Sequence, residues 1–91
     1  MDPNFRMTSW VYRRDGSLYF VITAAFPKES IGYLSKAFPM DNGGNLLDGN
    51  GNIAVSEPDP IIAMAKYNKE DAERTHIDLC RLFQNGYIMG L

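Results

Sequence analysis

Residues 9–26 read SWVYRRDGSLYFVITAAF, and this stretch decides the fold. Two runs rich in aromatic and β-branched residues flank Asp15–Gly16, a pair that favours the positive φ angles of a tight hairpin turn. The pattern predicts one strand over residues 8–14 and a second strand over residues 17–26. The second run is apolar on both faces, which is typical of a strand that is covered on both sides of its sheet.

The length of the turn determines which side chains of the hairpin share a face. With a two-residue turn, Tyr12 pairs with Tyr19, and Trp10 joins both on one face, whereas a three-residue loop would shift this register. Aromatic side chains beside arginines are typical of protein interfaces and of single-stranded nucleic-acid sites, and a covering helix would instead make them part of the core. The candidate partner-binding residues are Trp10, Tyr12, Arg13, Arg14 and Tyr19.

The remainder of the chain predicts helices around a second hairpin. Apolar residues at helical spacing predict a helix over residues 27–39, which ends at a proline. Glycine and asparagine dominate residues 42–52, and the apolar residues on either side predict a second hairpin over 46–55. Residues 61–67 predict a short helical segment, and residues 69–84 a longer helix.

The expected fold is therefore a small single α+β domain over residues 1–91. An antiparallel sheet is built from two hairpins in the order β-β-α-β-β-α, with helices on one face and an optional short strand near the C-terminus. Helices on one face leave the other face partly open. An open face that carried the aromatic residues would suit a protein partner or a second copy of the chain, so a homodimer is one expectation.

Composition excludes several classes of partner and compartment. The net charge is −2, so nothing attracts the whole protein to nucleic acid or anionic lipid, and we expect neither a nucleic-acid nor a membrane partner. A single cysteine, Cys80, excludes an internal disulfide and suits a reducing compartment. The first ten residues lack the apolar core of a signal peptide, so a cytoplasmic location is expected.

The Asn/Gly-rich loop raises the question of a calcium site. With Glu57 at loop position 12, Asp48 falls at position 3 and Asn50 at position 5, which partly matches a helix–loop–helix calcium site. Position 1 is then Leu46, where such sites place an aspartate. We favour a hairpin turn here and keep a calcium-binding domain as an alternative, with the ligand set Asp48, Asn50, Asn52 and Glu57.

Catalytic chemistry has few candidate residues in this chain. His76 and Cys80 lie four residues apart on the predicted long helix, but Leu79 and Phe83 share their stripe, so a buried helix face is the simpler interpretation. No second histidine or cysteine completes a tetrahedral metal site, and no phosphate-binding or dinucleotide motif is present. We therefore expect no cofactor and no enzyme, with a small enzyme centred on His76 as an alternative.

The leading expectation is a small non-catalytic module that binds another protein through its hairpin. It would act by steric occlusion of that partner, as a regulator or inhibitor of the kind that phages and mobile elements encode.

Overall fold

The computed structural model describes residues 4–26 and 32–85. They form a four-stranded antiparallel sheet in which every strand lies beside its neighbour in the chain. One helix packs against all four strands, on a side that we call the inner face; the opposite side is the outer face. The elements are β1 (Arg6–Tyr12), β2 (Leu18–Ala25), β3 (Tyr33–Met40), β4 (Ile62–Lys66) and α1 (Lys69–Asn85). The expected α+β class and antiparallel sheet are confirmed.

The expected order β-β-α-β-β-α is wrong, first because β3 replaces the helix predicted over residues 27–39. Residues 27–31 of that prediction lie outside the described residues. Gly32 has a φ of +81°, which is incompatible with a right-handed helix. A Cβ atom at this position would lie 2.5 Å from the carbonyl oxygen of Lys66, so only glycine fits between β3 and the end of β4.

β3 resembles a helix in sequence because it is a central strand that is buried on both faces. Ala37 on the inner face and Phe38 on the outer face are both buried, so apolar residues do not alternate along the strand. Pro39 is tolerated because its missing N–H lies on the side of β4, and β4 pairs with β3 only as far as Ala37.

The second error concerns the short helical segment predicted over residues 61–67, where the structure has β4. The longer C-terminal helix is confirmed as α1. Asn68 caps it: the side-chain oxygen of Asn68 accepts a hydrogen bond from the Asp71 N–H at 2.8 Å. The optional C-terminal strand lies outside the described residues. In the described part of the chain, no helix is long and apolar enough to cross a membrane.

The first hairpin is confirmed, but its loop has three residues between the paired positions. The Arg13 N–H donates to the Ser17 carbonyl oxygen at 3.0 Å, and Gly16 closes the loop with a φ of +90°. Consequently Tyr12 pairs with Leu18, and the two-residue register is wrong. The shift by one residue moves Tyr19 to the inner face.

The hairpin predicted over residues 46–55 is confirmed only as a minimal one, with an isolated bridge between Leu47 and Ile53, and a second isolated bridge joins Met40 of β3 to Leu46. The loops over residues 41–45 and 48–52 repeat the backbone hydrogen bonds of the first hairpin loop. In each, a glycine with positive φ occupies the fourth position, and an aspartate oxygen accepts backbone N–H groups from the second and fourth residues after it. This part of the chain, residues 41–61, is called the cover segment below.

Candidate functional site

Two large aromatic side chains stand exposed side by side on the outer face. Trp10 is 59% exposed and Tyr12 is 66% exposed, and both project from β1. Trp10 pairs across the sheet with Phe20, and their ring centroids lie 5.8 Å apart. Phe20 is half-buried. We call Trp10, Tyr12 and Phe20 the aromatic patch.

The rest of the outer face is partly covered by the cover segment. Phe38, Met40 and Leu18 lie on this face and are buried. Lys36 Nζ contacts Glu57 Oε2 at 3.2 Å, which ties the cover segment across β3. A shallow groove of about 90 Å³ remains between the cover segment and β2, next to the aromatic patch. Its lining residues are Ile22, Ala24, Phe26, Leu34, Lys36 and Glu57.

The structure separates the five residues that the sequence grouped as partner-binding. Tyr19 is buried on the inner face, where its ring centroid lies 4.8 Å from that of Phe83. Arg13 points to the same side, with its guanidinium 3.4 Å from the Tyr19 hydroxyl oxygen. Arg14 is exposed in the hairpin loop, at the end of β1 that carries Tyr12. Trp10, Tyr12 and Arg14 therefore remain accessible together, whereas Arg13 and Tyr19 support the core.

A chain of four hydrogen-bonded side chains crosses the interior beneath α1. Ser9 Oγ lies 2.8 Å from His76 Nε2, and Thr23 Oγ1 lies 2.9 Å from His76 Nδ1. Thr23 Oγ1 also lies 2.6 Å from Ser35 Oγ. The chain joins one residue from each of β1, β2 and β3 to the helix. Within the described residues, every buried side-chain nitrogen and oxygen has a partner.

His76 is 2% exposed, and burial lowers its pKa below the usual value, which keeps the ring neutral near pH 7. In a neutral imidazole one nitrogen donates and the other accepts, so the hydrogen bonds of this chain run in one direction. A serine hydroxyl on one histidine nitrogen is also the starting geometry of nucleophilic catalysis. Here, however, the other nitrogen meets the hydroxyl of Thr23 and not a carboxylate.

Cys80 lies one helical turn after His76, at the side of α1 that borders β1. Burial raises the pKa of its thiol, and a hydrogen bond from Ser9 opposes this effect only in part. A raised pKa disfavours the reactive thiolate. Cys80 is therefore a packing residue of the helix flank.

The residues of the alternative calcium set have other partners. The Asp48 side-chain oxygen accepts N–H groups from Asn50 and Asn52 at 2.9 and 3.0 Å, which fixes the loop itself. Glu57 is engaged with Lys36. Across residues 4–26 and 32–85, no three His, Cys, Asp or Glu side chains are grouped in a way that could hold a metal ion.

The chain matches no protein-family model, no curated protein and no solved structure.

Sequence reasoning did not identify Phe20 as a surface residue, nor the polar chain beneath α1. A signal for the polar chain was present: Thr23 and Ser35 stand among the apolar residues of their strands. A hydroxyl at an inward strand position needs a buried partner, and His76 is the single histidine available.

Proposed function

We propose that this protein is a small non-catalytic module that binds another protein through the aromatic patch and acts by covering the surface that it binds. The observation that carries the proposal is the joint exposure of Trp10 and Tyr12 on one strand of the outer face. Exposed tryptophan and tyrosine are the residues most often found at the energetic centre of protein interfaces. Contiguous exposed apolar surface of this kind marks interaction sites in soluble proteins.

The chemistry around the patch suggests the kind of surface that it fits. Arg6 shares the outer face with Trp10 by strand alternation, and Arg14 lies beyond Tyr12, and both arginines are exposed. The aromatic side chains are thus flanked by a positive charge at each end of β1. A complementary partner would offer an apolar depression bordered by carboxylates.

The rigid setting of the patch supports steric occlusion as the mechanism. Trp10 and Tyr12 project from a strand that pairs along its whole length with β2, which itself lies between two strands. A strand backbone held in this way loses little conformational freedom on binding, so more of the contact energy appears as affinity.

Photo-cross-linking tests the proposal directly. A benzophenone amino acid replaces Tyr12 in one variant and Tyr67 in the other, and both are presented to lysate of the native host. Tyr67 is the control because it is 85% exposed but follows the end of β4, the strand at the opposite edge of the sheet from β1. We expect one protein to be joined to the Tyr12 variant and to be absent from the Tyr67 sample. The same partner should be lost from affinity capture with Trp10→Ala/Tyr12→Ala but retained with Tyr67→Ala.

Both alanine variants should stay folded, since these side chains are exposed. Equal cross-linking from positions 12 and 67, or capture that survives the double substitution, would refute the role of the patch.

The contact between Ser9 and His76 favours a second candidate, a small hydrolase with Ser9 as the nucleophile. A fluorophosphonate probe tests this candidate. Labelling of Ser9 that disappears in His76→Gln would support the hydrolase. If the folded protein is not labelled, the hydrolase is refuted and the polar chain has a structural role. We rank the hydrolase second because the histidine is enclosed and lacks a carboxylate partner.

A further inference from the structure

The free edge of β1 carries a row of backbone groups that β2 does not use. The Arg13 N–H bonds to Ser17, and the Phe5 carbonyl oxygen accepts from Ala25, so odd-numbered residues at both ends of β1 face β2. In an antiparallel strand the alternate residues then direct their N–H and C=O groups outward. Among residues 4–26 and 32–85, β1 is an edge strand of the sheet and pairs with β2 alone. The outward-facing residues are Arg6, Thr8, Trp10 and Tyr12.

The opposite edge of the sheet differs from this one. β4 has five residues, follows Pro60 and ends at Lys66, which are features that discourage edge-to-edge pairing. β1 has seven residues and no proline, and its charged residue, Arg6, is at its start. Of the two edges, β1 is the one suited to receive another strand.

We propose that β1 pairs antiparallel with β1 of a second copy of this chain, so that the two sheets join into one sheet of eight strands. Full overlap of the two strands centres the pairing on Ser9. The outward backbone groups then meet in register, with Thr8 opposite Trp10 and Arg6 opposite Tyr12 of the other copy. In this register no like charges face one another. Each Arg6 guanidinium lies against the Tyr12 ring of the other copy, and the cation–π interaction between them favours the pairing.

The flank of α1 beside β1 fits the same assembly. Ile77, Cys80 and Gln84 form a stripe along α1 at spacing i, i+3, i+7. Cys80 and Gln84 line an open groove of about 350 Å³ next to β1, and Ile77 is 46% exposed. A two-fold axis perpendicular to the sheet keeps both helices on the inner side and turns these stripes toward each other. The second copy would thus fill the groove and cover Ile77.

On the outer side, the joined sheet would carry both aromatic patches on one continuous surface. The inference does not rest on the proposed function, because it uses backbone groups and the helix flank. A monomeric chain could still bind a partner through Trp10 and Tyr12.

Light scattering coupled to size-exclusion chromatography gives the first test. We expect the purified chain to have twice the chain mass and Thr8→Pro to have the monomer mass. The Thr8 N–H points outward, so proline removes an intermolecular donor and leaves the β1–β2 hydrogen bonds intact. Thr8→Ala is the matched control, since it keeps the N–H and should stay dimeric. A native chain with the mass of a monomer, or a dimer that persists in Thr8→Pro, would overturn the proposal.

Disulfide trapping gives a second test that does not depend on how proline is tolerated. The proposed register places the two Ser9 residues opposite each other as a non-hydrogen-bonded pair, about 4.5 Å apart between Cα atoms. In the background Cys80→Ser, Ser9→Cys should form an intermolecular disulfide under mild oxidation, whereas Cys80→Ser alone should not. Folding is checked by circular dichroism. A folded Ser9→Cys variant that resists cross-linking would contradict this register.

Discussion

The two faces of the sheet are both built from apolar residues, yet they are closed in different ways. The inner face is sealed by a 17-residue helix, and even its polar side chains have buried partners. On the outer face Phe38 is buried and the cover segment contacts Lys36 through Glu57, whereas Trp10 remains exposed on β1. We therefore expect substitutions on the inner face to cost more stability than substitutions in the aromatic patch. Four predictions test this division.

The largest expected difference is between Phe83 and Trp10. Phe83 is buried against Tyr19, so Phe83→Ala should lower the free energy of unfolding by about 3–5 kcal/mol. Trp10→Ala should cost about 1 kcal/mol or less, because it removes one exposed ring and its contact with Phe20. Urea denaturation followed by far-UV circular dichroism measures both. Similar losses from the two substitutions would show that the outer face is also part of the stabilising core.

The polar chain of the inner face gives the next prediction. Thr23→Val removes the hydroxyl that contacts both His76 and Ser35 and leaves these buried groups without that partner. We expect a loss of about 1–3 kcal/mol. Thr8→Val makes the same change at an exposed position of the outer face and should alter stability by about 0.5 kcal/mol or less. If Thr23→Val leaves the free energy of unfolding unchanged, the polar chain beneath α1 contributes no net stability.

Acidification should weaken the inner face selectively. The pKa of His76 is lowered in the folded protein by burial, so the unfolded chain binds this proton more tightly. The stabilising effect is complete above the unfolded pKa of about 6.5 and is lost as the pH falls toward the folded value.

Urea denaturation between about pH 7.5 and pH 5 measures this effect, because histidine is the side chain that titrates there. His76 is the single histidine. The variant His76→Gln should be less stable overall, but its free energy of unfolding should change much less with pH in this range. If the free energy of unfolding of that variant depends on pH as strongly as that of the native protein, the pH dependence comes from other groups.

The smallest effect is expected at the ion pair that ties the cover segment to the outer face. Glu57→Gln removes the partner of Lys36, and because Glu57 is largely exposed the loss should be less than about 1 kcal/mol and should shrink with added salt. Asp59→Asn, an exposed acid of the same segment, is the control. A loss of several kcal/mol would show that the outer face depends on its cover more than its exposure suggests.

The sequence predicted those parts of the fold that local chemistry determines. Asp15–Gly16 marked the first hairpin, because turns depend on a few adjacent residues, and the long helix begins at residue 69 as predicted. The buried face of that helix was also correct, since Leu79 and Phe83 are both buried. Amphipathic periodicity is a reliable signal where one face alone is covered.

The failures occurred where burial on two sides removes that periodicity. β3 carries apolar side chains on both faces, so its spacing imitated a helix. At the candidate site, Trp10 and Tyr12 do share one face of the sheet, but Tyr19 was assigned to the wrong face. One extra loop residue, which Gly16 accommodates through its positive φ, reverses the face of every residue in β2 relative to β1. The length of a hairpin loop depends on backbone conformation that the residue types alone do not determine.

The nearest-neighbour order of the strands has a consequence for biosynthesis. Each strand can pair with the one made just before it, so the sheet can grow as the ribosome delivers the chain. The helix α1, residues 69–85, is translated after all four strands. Until α1 emerges, the inner face of the nascent sheet, which bears Val21 and Ala37, has no cover from the described part of the chain. A stalled or prematurely terminated product would therefore be prone to aggregate or to recruit chaperones.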